Sequence, residues 1–473
     1  MPDLGVMSTE AMNDRIEVIE LAAPKRPAVS GIHTRSFTGV YRNLRIGFAG
    51  LLFALFFGTA WLDWDGRQAV LWDLSSSKFH IFGATFWPQD FILLSALLII
   101  CAFGLFAITV YAGRVWCGYS CPQSVWTWLF MWCEKVTEGD RNQRIKLAAA
   151  PWGLNKLARR TFKHSLWLAI GVLTGLTFVG YFTPIRPLAQ ALFSLQLGGV
   201  ALFWVVFFTA ATYINAGLLR EAVCLHMCPY ARFQSVMFDK DTLAVAYDPR
   251  RGESRGPRKK GSDARAQGLG DCIDCTLCVQ VCPTGIDIRQ GLQMACIGCA
   301  ACIDACDNVM AKMGYPRGLI GYKSEHSLQG GTTHWLRPRL VGYAVALLVM
   351  IGALVAALQL RPMVSLDVIK DRGLFRENAL GQIENIYLLK VINKTEQSQR
   401  YHLRLLDADG FELHGKTEFV IPAGEMSELP VSVAMLAERP ASSSQALAFE
   451  IQDSDQPAIR SVAHSRFVAP VNR

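Results

Sequence analysis

The sequence holds no P-loop, no C-x-x-C-H for covalent haem and no convincing dinucleotide fingerprint, so phosphate-driven, c-type haem and nicotinamide chemistry lack their usual residues. Charge is also scarce: 18% of the 473 residues are Asp, Glu, Lys or Arg, 51% are apolar, and mean hydropathy is +0.24. That balance points to a membrane protein. Cysteine stops early: none of the 14 lies beyond Cys306, and the last 167 residues are free of thiols, which argues against a disulfide framework.

Five apolar stretches reach or approach the ~20 residues that cross a bilayer: 46–62, 91–112, 165–182, 198–218 and 340–360. The first follows some 45 polar and mixed residues and reads as a retained anchor, not a cleavable signal peptide. No histidine lies inside these stretches, which leaves a bis-histidine haem without ligands. His80, His164, His326 and His334 read as loop or span-edge residues, more often solvated than ligating.

Lys plus Arg number 6 before the first stretch, 2 in 63–90, 9 in 113–164, 1 in 183–197 and 16 in 219–339. Basic loops stay in the cytoplasm, so segments 1–45, 113–164 and 219–339 are expected inside, and the tail from Arg361 outside. The run Arg250, Arg251, Arg255, Arg258, Lys259, Lys260 then reads as a topogenic linker, and the net charge of +8 needs no nucleic acid. Trp116, Trp126 and Trp132 read as interface anchors in contact with membrane lipid. Thirteen of the fourteen cysteines fall in the inside segments and Cys101 within the second stretch, consistent with thiols kept reduced.

Two runs of C-x2-C-x2-C-x3-C stand in tandem. Three cysteines at two-residue gaps wrap one cubane, and the fourth of each run reaches the other cluster. Cys272, Cys275, Cys278 and Cys306 are therefore expected to hold one [4Fe-4S] cluster, and Cys296, Cys299, Cys302 and Cys282 the second. Gly298, Ala300 and Ala301 are small enough to leave room for the inorganic core. The competing reading is zinc, but a ribbon needs two pairs separated by a longer loop, whereas these are two close-packed fours. One departure is Asp307 after Cys306, where the usual run has proline.

A second pattern, C-x3-C-P, occurs twice: Cys117, Cys121, Pro122 and Cys224, Cys228, Pro229, each after an outside-to-inside span. Cysteines four apart share a helix face, although the proline pushes the cysteine before it out of helical geometry. Soft thiolates select Cu(I), and His226 and Met227 are further candidate copper ligands. Copper binding, thiol redox chemistry and a further cluster stay open for these four thiols; the bland alternative is packing at the interface. Cys101 and Cys133 read as packing residues. No catalytic residue stands out.

From about 361 the pattern turns to period two, with Tyr401, Leu403 and Leu405 alternating with His402 and Arg404, and Val431, Val433 and Met435 alternating with Ser432 and Ala434. Asp409-Gly410 and Ala423-Gly424 mark turns, and about seven strands in an antiparallel sandwich are expected.

With these motifs assembled, the chain resembles the CcoG/FixG/RdxA family, the cytochrome c oxidase accessory proteins of bacteria. The resemblance runs through WDGRQAVLWDL at 64–74, KFHIFG and FWPQDF at 78–91, AGRVWCGYSCPQSVWTWLFMW at 112–132, EGDR at 138–141, TGLTFVGYFTPIR at 174–186 and IDACDNVM at 303–310. It implies a multidomain membrane protein: a five-helix transmembrane region, an inserted bacterial-type dicluster ferredoxin domain at about 262–310 within the cytoplasmic region 219–339, and a periplasmic, C-terminal all-β immunoglobulin-like sandwich over 361–473. It also implies reduction of Cu(II) to Cu(I) for assembly of a cbb-type oxidase in the bacterial inner membrane. The expected partners are a cytoplasmic electron donor that the sequence does not name, copper ion, and oxidase assembly factors or copper chaperones; a homo-oligomer is compatible with it. An electron conduit to quinone and a redox sensor or scaffold are the competing functions.

Overall fold

A computed structural model of the chain describes residues 32–470 apart from 263–266, 374, 379, 396, 407–408 and 437–442. Residues 1–31, most of the expected N-terminal segment 1–45, lie outside the described residues. Among the described residues five helices are long and apolar enough to cross a membrane, Val40–Trp61, Pro88–Ala112, Leu154–Gly180, Gly199–Leu219 and Pro338–Gln359, and the chain is a multi-pass membrane protein. The second packs on the fifth and the third on the fourth.

Two helices start six or more residues before their apolar stretches, because a helix continues wherever its polar side chains find partners. The third begins at Leu154 rather than 165, and its added turns are basic: Lys156 donates to the carbonyl of Ala148 (3.0 Å), while Lys163 pairs with Glu138 (3.0 Å). The first begins at Val40 rather than 46. Its N-terminal amides are capped from far along the chain, Tyr41 N at 3.2 Å and Arg42 N at 2.7 Å from the carboxylate of buried Asp304. A carboxylate at that position accepts otherwise orphaned N–H groups and complements the helix dipole. Asp304→Ala is expected to lower stability by about 1–2 kcal/mol, read as a lower thermal midpoint in detergent; an unchanged midpoint would reject the cap.

Asp304 belongs to helix Ala301–Met313 of the cysteine-rich domain, which packs against a two-stranded antiparallel sheet of Ala244–Tyr247 and Ile320–Lys323. This domain therefore sits at the start of the first helix and at the end of the second, where Arg114 donates to the carbonyl of Cys296 (3.2 Å).

The other end carries the β domain. Among the described residues nine strands, two more than expected, form two antiparallel sheets. One has the order Phe411–His414, Met426–Met435, Ile383–Asn393, Val364–Lys370, with the short strand Arg376–Glu377 also paired to Ile383–Asn393; the other has the order Glu418–Ile421, Gln399–Leu406, Ser444–Asp453, Arg460–Val468. The alternating residues face inward: Tyr387, Leu389, Tyr401, Leu403, Val431, Val433, Phe449 and Phe467 form one buried core. Ala434 is buried as well, on the opposite face of its strand from Val433. The domain is fastened to the helices through Asp90, which accepts from Lys394 (2.9 Å), Arg361 (2.6 Å) and the amide of Trp87 (3.1 Å).

Candidate functional site

Both C-x2-C-x2-C segments adopt one backbone. Two residues after the first cysteine and again one after the second, the chain turns left-handed: Asp274 (φ 52°) and Thr276 (φ 54°) in the first, Gly298 (φ 66°) and Ala300 (φ 57°) in the second. Alternation of right- and left-handed residues turns successive N–H groups toward one centre and makes an anion-binding nest. A [4Fe-4S] core with four thiolates carries net negative charge and fits such a cradle.

Two cavities lie in these nests. Cys272, Cys275, Cys278 and Cys306 line one, with Arg289 at its edge; Cys282, Cys296, Cys299 and Cys302 line the other, and Cys278 borders both. Arg289 is held there by Asp287 (2.7 Å) and Asp274. Among the described residues no three of these sulfurs lie within 4.8 Å of one another. A single zinc ion with Zn–S near 2.3 Å would draw its four sulfurs to ~3.8 Å apart, so the spacing suits a wider body than one ion. Burial, reinforced by neighbouring thiolates, pushes Cys306 and Cys296 up to about 12. Burial likewise raises Cys278 to about 12, with the Arg289 charge working against it. Such thiols ionise at neutral pH only beside a cation, which bound iron supplies.

The C-x3-C-P segments interrupt their helices. Cys121 (ψ 127°) and Cys228 (ψ 112°) are extended, and the following proline opens a new helix in each case, Pro122–Glu138 and Pro229–Met237. A proline lacks the N–H that would be orphaned at that position, so it starts a helix readily. Before the second motif the fourth long helix widens into π turns over Tyr213–Leu219, and another π turn covers Val223–Met227. Gln123 ties the motifs together, its amide donating to the carbonyls of Asn215 (2.8 Å) and Arg220 (3.0 Å). The thiol of Cys117 donates to Gln234 (3.6 Å), six residues past Cys228. Cys117, Cys121, Cys224 and Cys228 stand near enough for each to feel the charge of the others, and burial, with that repulsion behind it, pushes Cys224 to about 12 and Cys117 to about 11. His226 and Met227, between Cys224 and Cys228, are exposed.

The first C-x3-C-P segment packs directly on the loop of the second iron-sulfur cavity. Gly118, between Cys117 and Cys121, has no room for a side chain: a Cβ there would lie 2.7 Å from the Gly298 carbonyl and 2.8 Å from Cys299 Cα. Tyr322 Oη donates to the same carbonyl (2.7 Å), and Arg114 reaches both the Cys296 carbonyl and that of Ala231 (2.7 Å). A further cavity lies between the two, lined by Cys224, Gln123 and Arg220 on one side and Pro283, Thr284 and Ile297 on the other.

Cys133 packs with Phe130, Trp167 and Ala216, and Cys101 is exposed on the second helix. His164, expected at a span edge, lies inside the third helix with Nδ1 2.7 Å from Tyr213 Oη; the basic turns before it extended that helix. His326 and His334, expected to be solvated, converge on Asp241. Nothing local in the sequence marks Arg114, Gly118, Glu134, Asp241 or Asp304 as partners of residues 70 or more positions away.

A 4Fe-4S dicluster domain matches residues 219–325, and a family described as an IG-like fold at the C-terminal of FixG matches 354–470. Protein RdxA of Cereibacter sphaeroides is 42% identical over 81% of this chain and 83% of its own length. Protein RdxB of the same organism is 38% identical over 92% of this chain and 94% of its own. The nitrogen fixation protein FixG of Rhizobium meliloti is 38% identical over 74% of each chain. The crystal structure of a FixG-related protein from Vibrio parahaemolyticus covers 23% of this chain and 98% of its own, with 29% identity and a TM-score of 0.22.

Proposed function

The chain belongs to the FixG/RdxA family of membrane iron-sulfur electron-transfer proteins, and on that premise we propose that it reduces Cu(II) to Cu(I) for copper-centre assembly of a cbb-type cytochrome c oxidase. The observation that carries this reading is the contact of Gly118 with Gly298 and Cys299, which packs the first of the two thiol motifs against the second cluster loop. In the proposal Cys272, Cys275, Cys278 and Cys306 would hold one cluster and Cys282, Cys296, Cys299 and Cys302 the other, and either cluster, when reduced, would supply the single electron that one Cu(II) takes. Arg114 and Tyr322 hold the loop of the second cluster against the membrane motif by its carbonyl groups. Cys117, Cys121, Cys224 and Cys228 receive the copper once reduced, because thiolates favour Cu(I). The exposed His226 and Met227 are left out of that ligand set. The basic character of 219–339 supports a cytoplasmic location for the clusters, refilled by a one-electron donor there, and a periplasmic one for the β domain. Oxidase assembly factors or copper chaperones take the Cu(I).

Anaerobic addition of Cu(II) to protein with reduced clusters is expected to oxidise about one cluster per copper reduced, followed by cluster absorbance and a Cu(I) chelator. Replacing all four interface cysteines with serine should lower the rate at least tenfold with iron content unchanged. Full activity in that variant would reject the thiols as the copper site, and loss of iron would assign them to a cluster.

A further inference from the structure

Outside the cysteine centres, three metal-binding side chains from three distant segments meet. Asp241 follows the helix Pro229–Met237, His326 lies in the short helix Glu325–Leu328, and His334 sits in the loop before the fifth long helix. One carboxylate oxygen and one ring nitrogen from each histidine all lie within 4.8 Å of one another. His326 Nδ1 is 2.8 Å from Asp241 Oδ1, and His334 Nδ1 is 3.3 Å from Oδ2. A divalent ion with ligand distances near 2 Å needs donors ~3–4 Å apart, so small side-chain movements would close the set around one ion.

Two features separate this cluster from an ordinary surface pairing. The Asp241 side chain is only 12% exposed, yet among the described residues its ion-pair partners are the two imidazoles; the nearby Arg337 is taken by Asp239. A buried carboxylate without a fixed cation leaves charge to be compensated. The backbone also holds it in place, the His334 amide donating to Oδ1 (3.0 Å) and the His326 amide to the Lys240 carbonyl (3.1 Å). The outer side stays open: the His334 side chain is 64% exposed, so water or an incoming ion reaches the cluster.

Its position bears on the reaction. Thr242 Oγ1 donates to the Val110 carbonyl (2.9 Å) and the Leu243 amide to that of Tyr111 (3.1 Å), which places Asp241 at the end of the second long helix that leads into Cys117. Trp335, next to His334, packs on Tyr111. On the other side His326 follows the strand Ile320–Lys323, whose Tyr322 bonds the Gly298 carbonyl of the second cluster loop.

We propose that Asp241, His326 and His334 form the entry site for the Cu(II) substrate, an imidazole and carboxylate set that captures the oxidised ion before it passes to the thiols that favour the reduced one. Imidazole and carboxylate suit Cu(II), and among divalent first-row ions an N/O site binds Cu(II) most tightly. Reduction then weakens the hold of this site and strengthens that of the thiols, which gives transfer a direction. The inference rests on the cupric reductase reading.

Copper(II) chloride is titrated into the detergent-solubilised full chain with oxidised clusters and followed by EPR. The wild-type protein should show one Cu(II) with nitrogen hyperfine structure from two imidazoles, displaced by excess Zn(II). His326→Ala with His334→Ala should abolish that signal and raise at least tenfold the Cu(II) concentration giving half-maximal cluster oxidation, with iron content unchanged. Asp241→Asn should weaken binding in the same direction. An unchanged signal in the double variant overturns the site. Loss of the signal with unaltered half-maximal concentration overturns its role in entry. A wild-type signal without any electron transfer to copper overturns the reductase reading and leaves a cation site standing.

Discussion

Cys306→Ala should empty the cluster of the first cysteine run, although Cys306 stands in the second. The structure lines one cavity with Cys306 and Cys272, Cys275 and Cys278, and gives Cys282 to the other. Loss of one thiolate from a four-thiolate site releases the cluster, so iron should fall from about eight per chain to about four. Double variants sharpen the expectation. Cys306→Ala with Cys272→Ala strikes the same cavity and should lose no more iron than either alone, whereas Cys306→Ala with Cys296→Ala strikes both and should lose nearly all of it. Iron analysis with low-temperature EPR of the reduced protein reads the outcome, and the reverse pattern would mean that each run keeps its own four cysteines.

The second large effect is expected at Glu134. Its carboxylate lies buried between two guanidinium groups, 2.6 Å from Arg144 and in close contact with Arg220, with side-chain exposures of 7%, 4% and 18%. Arg220 also lies over the Trp167 ring. Removing one partner of such a group leaves the others charged and uncompensated away from water, and Glu134→Ala should cost about 3–5 kcal/mol. Because Arg220 stands four residues before Cys224, the damage should reach the interface thiols, seen as faster alkylation of Cys224 in the variant. Unfolding of the detergent-solubilised protein, compared with Glu134→Gln, measures the cost; a variant as stable as the wild type would reject the assignment.

The long helices were legible because lipid demands unbroken apolar length, but their limits were not. Lys156 and Lys163 look like the end of a span on hydropathy, yet each has a polar partner that lets the helix run on. The sandwich was legible from alternation at Tyr401, Leu403, Val431 and Val433, all buried as the period requires. Its shortest strand, Arg376–Glu377, has too few residues to show a period.

The C-x2-C-x2-C-x3-C runs and the C-x3-C-P repeats were determined by the sequence alone, since a metal cluster constrains the spacing of its local ligands through the length of chain that must wrap it. Tertiary structure alone decided what those ligands face. Gly118 against Gly298, Asp304 at the first helix and Asp241 between His326 and His334 join segments 85 to more than 260 residues apart. No local pattern constrains such pairs, because the free energy that selects them comes from burying polar groups together, and that depends on where the folded chain brings them.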